Sequence, residues 1–466
     1  MPIREWRQAL SALRHPLRRQ VPSNMNRPAL TYTELLTASG LSEGGTSCLA
    51  LDFESPIEVV QASKAPCHVS KGNNSMRFTA ALFLSCLILL LLTWAALPSV
   101  AQEADESRYI SSVTSAVDDL ITQYSKLPQH PVIFSANLLL AHGVGVKGVP
   151  TKALLDYIDG LKAAGVQRIQ FNPAVTSIDD PDVMEKYDAV VKHIRELGLQ
   201  VQINLVYARI GSRNADMEIQ QFQDFAVPAV KACAEFAARY HPDYLVPVHE
   251  PATMDARMGI RAGPAPWVAY LDDAIKAIKH ASPNTRVGAG GWYGELPFYK
   301  AFATRPDLDF LIIDIYDHTK LNIYDQMVQI AHAANKPVSI EETWRPPFTG
   351  PLPQNAHVLA TAIETHTIKG AGNADFEDLD VKWMKAMVLY ASTRGMEAVT
   401  PMYSQTFFAY VTSGPDRPSD PEYSRKVIEA IAQGQRTKTF EAYGSLQQKF
   451  GNHNASPARS PPWCKH

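Results

Sequence analysis

Two glutamates close apolar runs that both read as buried strands. Glu250 ends YLVPVHE, residues 244 to 250, and Glu342 ends KPVSIEE, residues 336 to 342. A carboxyl group at a strand end, set against a largely apolar wall, is placed to give or take a proton. Two such groups in one cleft can divide the work, one ionised and one protonated, because the charge on one raises the pKa of the other. Taken singly, each glutamate has a second reading as a helix cap or an arginine partner. The pair gains meaning only if the fold brings the two strand ends together.

The elements around them are regular. Strand-like runs stand at 130 to 140 (HPVIFSANLLL), 166 to 172, 199 to 208, 244 to 250, 285 to 293, 308 to 316, 336 to 342 and 396 to 403, eight in all. Amphipathic segments lie between them, among them TKALLDYIDGLKAAG, PDVMEKYDAVVKHIRELG and DVKWMKAMVLYASTRG. Gly165, Gly198, Asn335 and Gly395 fall where left-handed C-caps would end helices before the next strand. Alternation of this kind implies parallel pairing, and eight units predict an α/β fold, a (β/α)8 TIM barrel over residues 103 to 435. An open doubly wound sheet is the alternative, but the glycine-rich AHGVGVKG at 141 to 148 does not fit the GxGxxG phosphate turn. Residues 436 to 466 read as a loosely packed C-terminal extension, patterned only at FEAYGSLQQKF.

In a barrel of this order Glu250 ends strand four and Glu342 ends strand seven. The arrangement resembles the large clan of retaining (β/α)8 glycoside hydrolases, clan A. There the strand-four acid is the general acid/base and the strand-seven acid the nucleophile. Where most of the clan has Asn-Glu-Pro, this chain has His249-Glu250-Pro251, a pair similar to the mannanase-containing family 26. Lys336-Pro337-Val338 matches the clan's strand-seven opening and selects Glu342, and strand alternation is expected to send Glu341 to the opposite side. LDFLIIDIYDH resembles the segment whose tyrosine orients the nucleophile, here Tyr316. The resemblance implies hydrolysis of O-glycosidic bonds in a carbohydrate, with Tyr316 or Arg345 keeping Glu342 charged. Trp292, Trp344 and Tyr403 are the candidate sugar platforms. Tyr293, Phe407 and Phe408 lie near the same mouth, and all of these rings have a second reading as local core. Strand eight lacks the clan's tryptophan, so Tyr403 stands in its place. His249 reads either as a sugar contact or as a hydrogen-bonded structural residue.

A net charge of -3 over 466 residues, with charges of both signs scattered, supplies no basic face, so nucleic acid is not an expected partner. Of five cysteines only Cys233 lies inside the expected barrel, and no metal-binding spacing exists. No cofactor and no metal are expected. The rival is a metal-dependent barrel using Glu250, Asp314, Asp317, His318 and His249, but strand one lacks a His-x-His and His130 sits at its wrong end. A non-catalytic barrel that binds a glycan is the other class. From Met76, MRFTAALFLSCLILLLLTWAALPSVAQ has the form of an export signal, residues 76 to 101, cleaved after Ala101, which implies a secreted or periplasmic protein. An uncleaved anchor, the one expected membrane contact, is the competing reading. Residues 1 to 75 carry no sustained pattern and read as disordered or as an over-extended start.

Overall fold

The computed structural model of the protein describes residues 110–140, 145–206, 219–344, 374–411 and 420–452. The chain divides into Met1–Thr79, outside those residues, and Ala80–His466, which carries the fold. The expected signal segment and its cleavage site also lie outside the described residues.

Eight strands pair in parallel and close in chain order: β1 Ile133–Asn137, β2 Arg168–Phe171, β3 Gln200–Asn204, β4 Tyr244–His249, β5 Arg286–Trp292, β6 Phe310–Ile315, β7 Val338–Thr343 and β8 Ala398–Pro401. This is the expected (β/α)8 barrel, its connecting helices packed outside. Their placement follows from amphipathicity. Helix Pro181–Glu196 buries Val183, Met184, Tyr187, Val190, Val191 and Ile194 at helical spacing, and Asp180 caps it by accepting from the amides of Asp182 and Val183. Gly165, Gly198, Asn335 and Gly395 all have positive φ, as their position before the strands predicts.

Two elements depart from expectation. A helix at 110–124 precedes the barrel, with Val113, Val117 and Tyr124 buried. Within the extension, Lys438–Phe450 is a helix of the core, not a loose tail. Its Tyr443 hydroxyl donates to the Ser135 carbonyl at 2.5 Å, its ring meets Phe134 edge-on at 5.0 Å, and the Val132 amide donates to Phe450 at 2.9 Å. FEAYGSLQQKF is periodic because Phe440, Tyr443, Leu446 and Phe450 face β1 and its surroundings.

The barrel interior is divided. Phe134, Ile169, Phe171, Val201, Ile203 and Ile340 belong to the outer core, so alternation turns Ser135, Asn137, Arg168, Gln170, Gln202, Asn204, Ser339 and Glu341 inward. Facing them, Tyr244, Val246, Phe310 and Ile312 form an apolar plug on β4 and β6. Gly288 makes room for it, since a Cβ there would stand 2.3 Å from the Phe310 ring. Toward the amino-terminal end, Glu397 accepts from Arg168 at 3.2 Å, Tyr244 at 2.7 Å and Arg286 at 2.5 Å. Burial opposes its charge, but Arg168 and Arg286 overcome burial and hold its pKa below the usual value. That network is structural, at the face opposite the strand ends discussed below.

Candidate active site

The site begins with an interruption in β4. Pair register shifts between Leu245 and Val248, a span that contains Pro247, which has no N–H to give a ladder. His249 then ends the strand and Glu250 turns the chain, with φ 52° and ψ 63°, into helix Pro251–Met258. The Glu250 amide donates to the Gly290 carbonyl at 2.9 Å, and its own carbonyl accepts from Met254 at 2.8 Å. A non-glycine residue in the left-handed region is uncommon and persists where its surroundings determine it, often at functional sites.

On β7 the register shifts twice. Ile313 pairs Ile340 while Asp314 pairs Glu342, and on the other side Ile340 pairs Val399 while Thr343 pairs Pro401. One residue of β7 is extra in both ladders, which is a bulge at Glu341. It corrects the alternation argument: Glu341 does not turn to the opposite side of the wall. Its carboxylate lies within the barrel, where it accepts from Gln202 and, at 2.5 Å, from Asn204, both on β3. Glu342 meets the Tyr316 hydroxyl at 2.8 Å.

Tyr316 also reaches Glu250, at 3.3 Å. The two carboxylate oxygens that share this hydroxyl are therefore no farther apart than the sum of those contacts, about 6 Å, close to the roughly 5 to 5.5 Å separation of retaining glycosidases. Behind them His249 Nε2 lies 3.1 Å from Asp314 Oδ2, and both residues are buried. Burial disfavours the imidazolium, yet Asp314 outweighs it and raises the His249 pKa well above the ordinary value. Burial lifts Asp314 to about 6 against the pull of His249. Near neutral pH the pair is thus an ionised Asp314 and a charged His249. Burial pushes Glu342 up to about 8; His249 and Tyr316 lower it, while Asp314 and Glu250 raise it. The free site accordingly keeps a proton on Glu342 at neutral pH, which a nucleophile must shed.

His249, Glu250, Tyr316 and Glu342 thus converge, with His249 hydrogen-bonded to Asp314. Trp344 and Tyr403 meet edge-on, ring centres 4.6 Å apart, in a small cluster with Leu139. Trp292 is not with them. Its ring is fully buried, packed edge-on against Tyr293 at 4.8 Å and over Gly294, where a Cβ would stand 2.3 Å away. A sugar platform needs a free ring face, so Trp292 is a core residue. Phe407 and Phe408 are core as well, set against Phe440 and Tyr157. Arg345 falls outside the described residues. Of the metal candidates, Asp317 caps a turn by accepting from Thr319 at 2.9 Å. His249, Glu250 and Asp314 bring one possible ligand atom each within 4.8 Å of one another, the single such group among the described residues. Two of the three are already hydrogen-bonded to each other.

Sequence reasoning missed Glu295, which follows β5 and is buried against the Glu250 turn, with Oε1 accepting from the Ala252 and Thr253 amides at 2.7 and 3.2 Å. The available signal was an acid placed just beyond the strand that neighbours β4.

No family model matches the chain, and no curated protein does. Solved structures similar to it include the exo-beta-1,4-mannosidase Op5Man5 from Opitutaceae bacterium strain TAV5, at 13% identity over 69% of this chain and 60% of that one, TM-score 0.48. Another is GH5_18 from Streptomyces cattleya in complex with GlcNAc, at 11% identity over 71% and 82%, TM-score 0.47. A third is the endo-1,4-beta-mannanase from Rhizomucor miehei, at 10% identity over 66% and 94%, TM-score 0.41. The chain thus spans less than two thirds of the first of these.

Proposed function

We propose that the protein is a secreted glycoside hydrolase that cleaves O-glycosidic bonds of a poly- or oligosaccharide by a retaining mechanism. The observation that carries this reading is the Tyr316 hydroxyl bridging Glu250 and Glu342, which sets the two carboxyls at a distance suited to a double displacement. Glu342 attacks the anomeric carbon and the C–O bond to the leaving group breaks, while Glu250 gives that oxygen its proton. Glu250, now ionised, then takes a proton from water, whose oxygen displaces Glu342 from the sugar. His249 and Asp314 form a buried support beneath the strand-four acid. The resemblance of the strand-four and strand-seven motifs to clan A supports the same roles.

A screen on mannan, xylan, galactan, β-glucans and aryl glycosides identifies the substrate. On an activated aryl glycoside, Glu342→Ala is expected to abolish turnover, with azide restoring it and giving a glycosyl azide of inverted configuration. Rescue of Glu341→Ala instead would move the nucleophile by one residue. A screen with no turnover anywhere would favour the glycan-binding reading. Zinc or manganese recovered stoichiometrically with active protein, and lost together with activity on chelation, would favour the metal-dependent one.

Export is part of the proposal. N-terminal sequencing of protein from a secreting host is expected to begin at Gln102, whereas retention of residues 76 to 101 would indicate an anchor.

A further inference from the structure

Glu250 occupies the N-cap position of helix Pro251–Met258, yet its side chain makes no capping bond there. At this position Asp, Asn, Ser or Thr ordinarily turns back on the helix and accepts from its first free amides. Here Glu295 accepts from them instead, reaching Ala252 and Thr253 from the turn after β5. The Glu250 carboxyl is thereby released toward Tyr316. Space for this exchange comes from Gly291. A Cβ at that position would stand 1.9 Å from Glu295 Oε2 and 3.0 Å from the Glu250 Cα, so any side chain would push the two acids apart. Glu295 Oε2 itself has no hydrogen-bond partner among the described residues, and the residue is almost wholly buried.

We propose that Glu295 is the positioning residue for Glu250: it caps helix Pro251–Met258 in that residue's stead and so holds the left-handed turn that leaves the Glu250 carboxyl free at the mouth. The inference rests on Glu250 being the acid/base. Burial, and next the charge of Glu250, raise the Glu295 pKa well above the ordinary carboxyl value, so a neutral amide is a close mimic of its working form.

The test uses the full chain and two aryl glycosides of the sugar it cleaves, one with a phenyl and one with a 2,4-dinitrophenyl leaving group. Only the phenyl substrate needs the proton from Glu250 to depart. Glu295→Ala is expected to lower kcat/KM on the phenyl glycoside by about 100-fold and on the dinitrophenyl glycoside by less than about threefold, with Glu295→Gln close to the parent on both. Gly291→Ala, which displaces the Glu295 carboxyl without removing it, is expected to show the same split and serves if Glu295→Ala does not fold. Equal losses on both substrates would reduce Glu295 to a structural residue and overturn the proposal, as would full activity of Glu295→Ala on the phenyl glycoside. Glu250→Ala separates the two levels of argument. If it lacks the leaving-group split, the acid/base reading fails and the proposal falls with it; if it shows the split and both other variants do not, only the role of Glu295 fails.

Discussion

Glu341 and Glu342 are neighbours in the chain, yet both carboxyls lie inside the barrel or at its mouth, one bound by amides of β3 and the other by Tyr316 at the end of β6. An unbroken strand would have separated them across the wall. The bulge on β7 inserts one residue, lets Glu341 anchor the interior polar layer, and re-aims Glu342 toward Glu250. The two acids differ in partners rather than in the side they face, and that difference assigns their roles.

The pH dependence follows from where the proton sits. Glu342 is carried up to about 8, mainly by burial, so below that pH the carboxyl is protonated and unable to attack. On an activated aryl glycoside, for which acid assistance is dispensable, kcat/KM is expected to rise with pH toward a plateau near 8 to 9. An optimum near pH 5 would show that groups outside those described here hold Glu342 ionised.

The same group costs stability. An unfolded carboxyl titrates near 4.5, the folded one near 8, so between these values the native state binds more protons and stability falls as pH rises. Glu342→Gln removes that cost. Its unfolding free energy and Tm are expected to match the parent near pH 4 and to exceed it increasingly up to about pH 8, where the free-energy gain levels off at about 2 to 4 kcal/mol once neighbouring charges are allowed for. Parallel Tm curves would refute this.

Trp292 tests the boundary between core and cleft. With its ring fully buried, Trp292→Ala is expected to destabilise folding by about 3 to 5 kcal/mol in urea unfolding while changing KM little. A raised KM with stability retained would restore Trp292 to the sugar path.

Glu341→Ala removes the acceptor of one buried side-chain N–H on each of Gln202 and Asn204, while Gln202 keeps its bond to Asn204. At about 1 to 3 kcal/mol for each orphaned group, a loss of roughly 2 to 6 kcal/mol is expected from denaturant unfolding. Azide should not rescue this variant, in contrast to Glu342→Ala.

Much of this was legible in the chain. The eight strands, the four helix-ending positions and the pair Glu250 and Glu342 follow from apolar runs and their spacing, because buried parallel strands are continuous in hydrophobicity. Tyr316 was found through its motif. What escaped was set by contacts distant in sequence. The bulge at Glu341 depends on pairing with both neighbouring strands, the burial of Trp292 on a turn folding over it, and Glu295 on amides 43 and 42 residues upstream. The helix at Lys438–Phe450 carried its periodicity openly, but nothing local showed that β1 would provide the opposing surface.

The barrel interior, apolar between β4 and β6 and polar along β1, β2, β3 and β7, has staves of unequal cohesion. Among the described residues, Ser135, Asn137, Gln170 and Ser339 on the polar side each keep a buried polar atom with no protein partner, four residues against Trp292 and Asp314 on β5 and β6. Water has reason to enter on that side first. Native-state amide exchange should therefore find the slowest protons on β5 and β6 and faster ones on β1 and β2, so that the barrel opens like a door hinged behind its own acid pair.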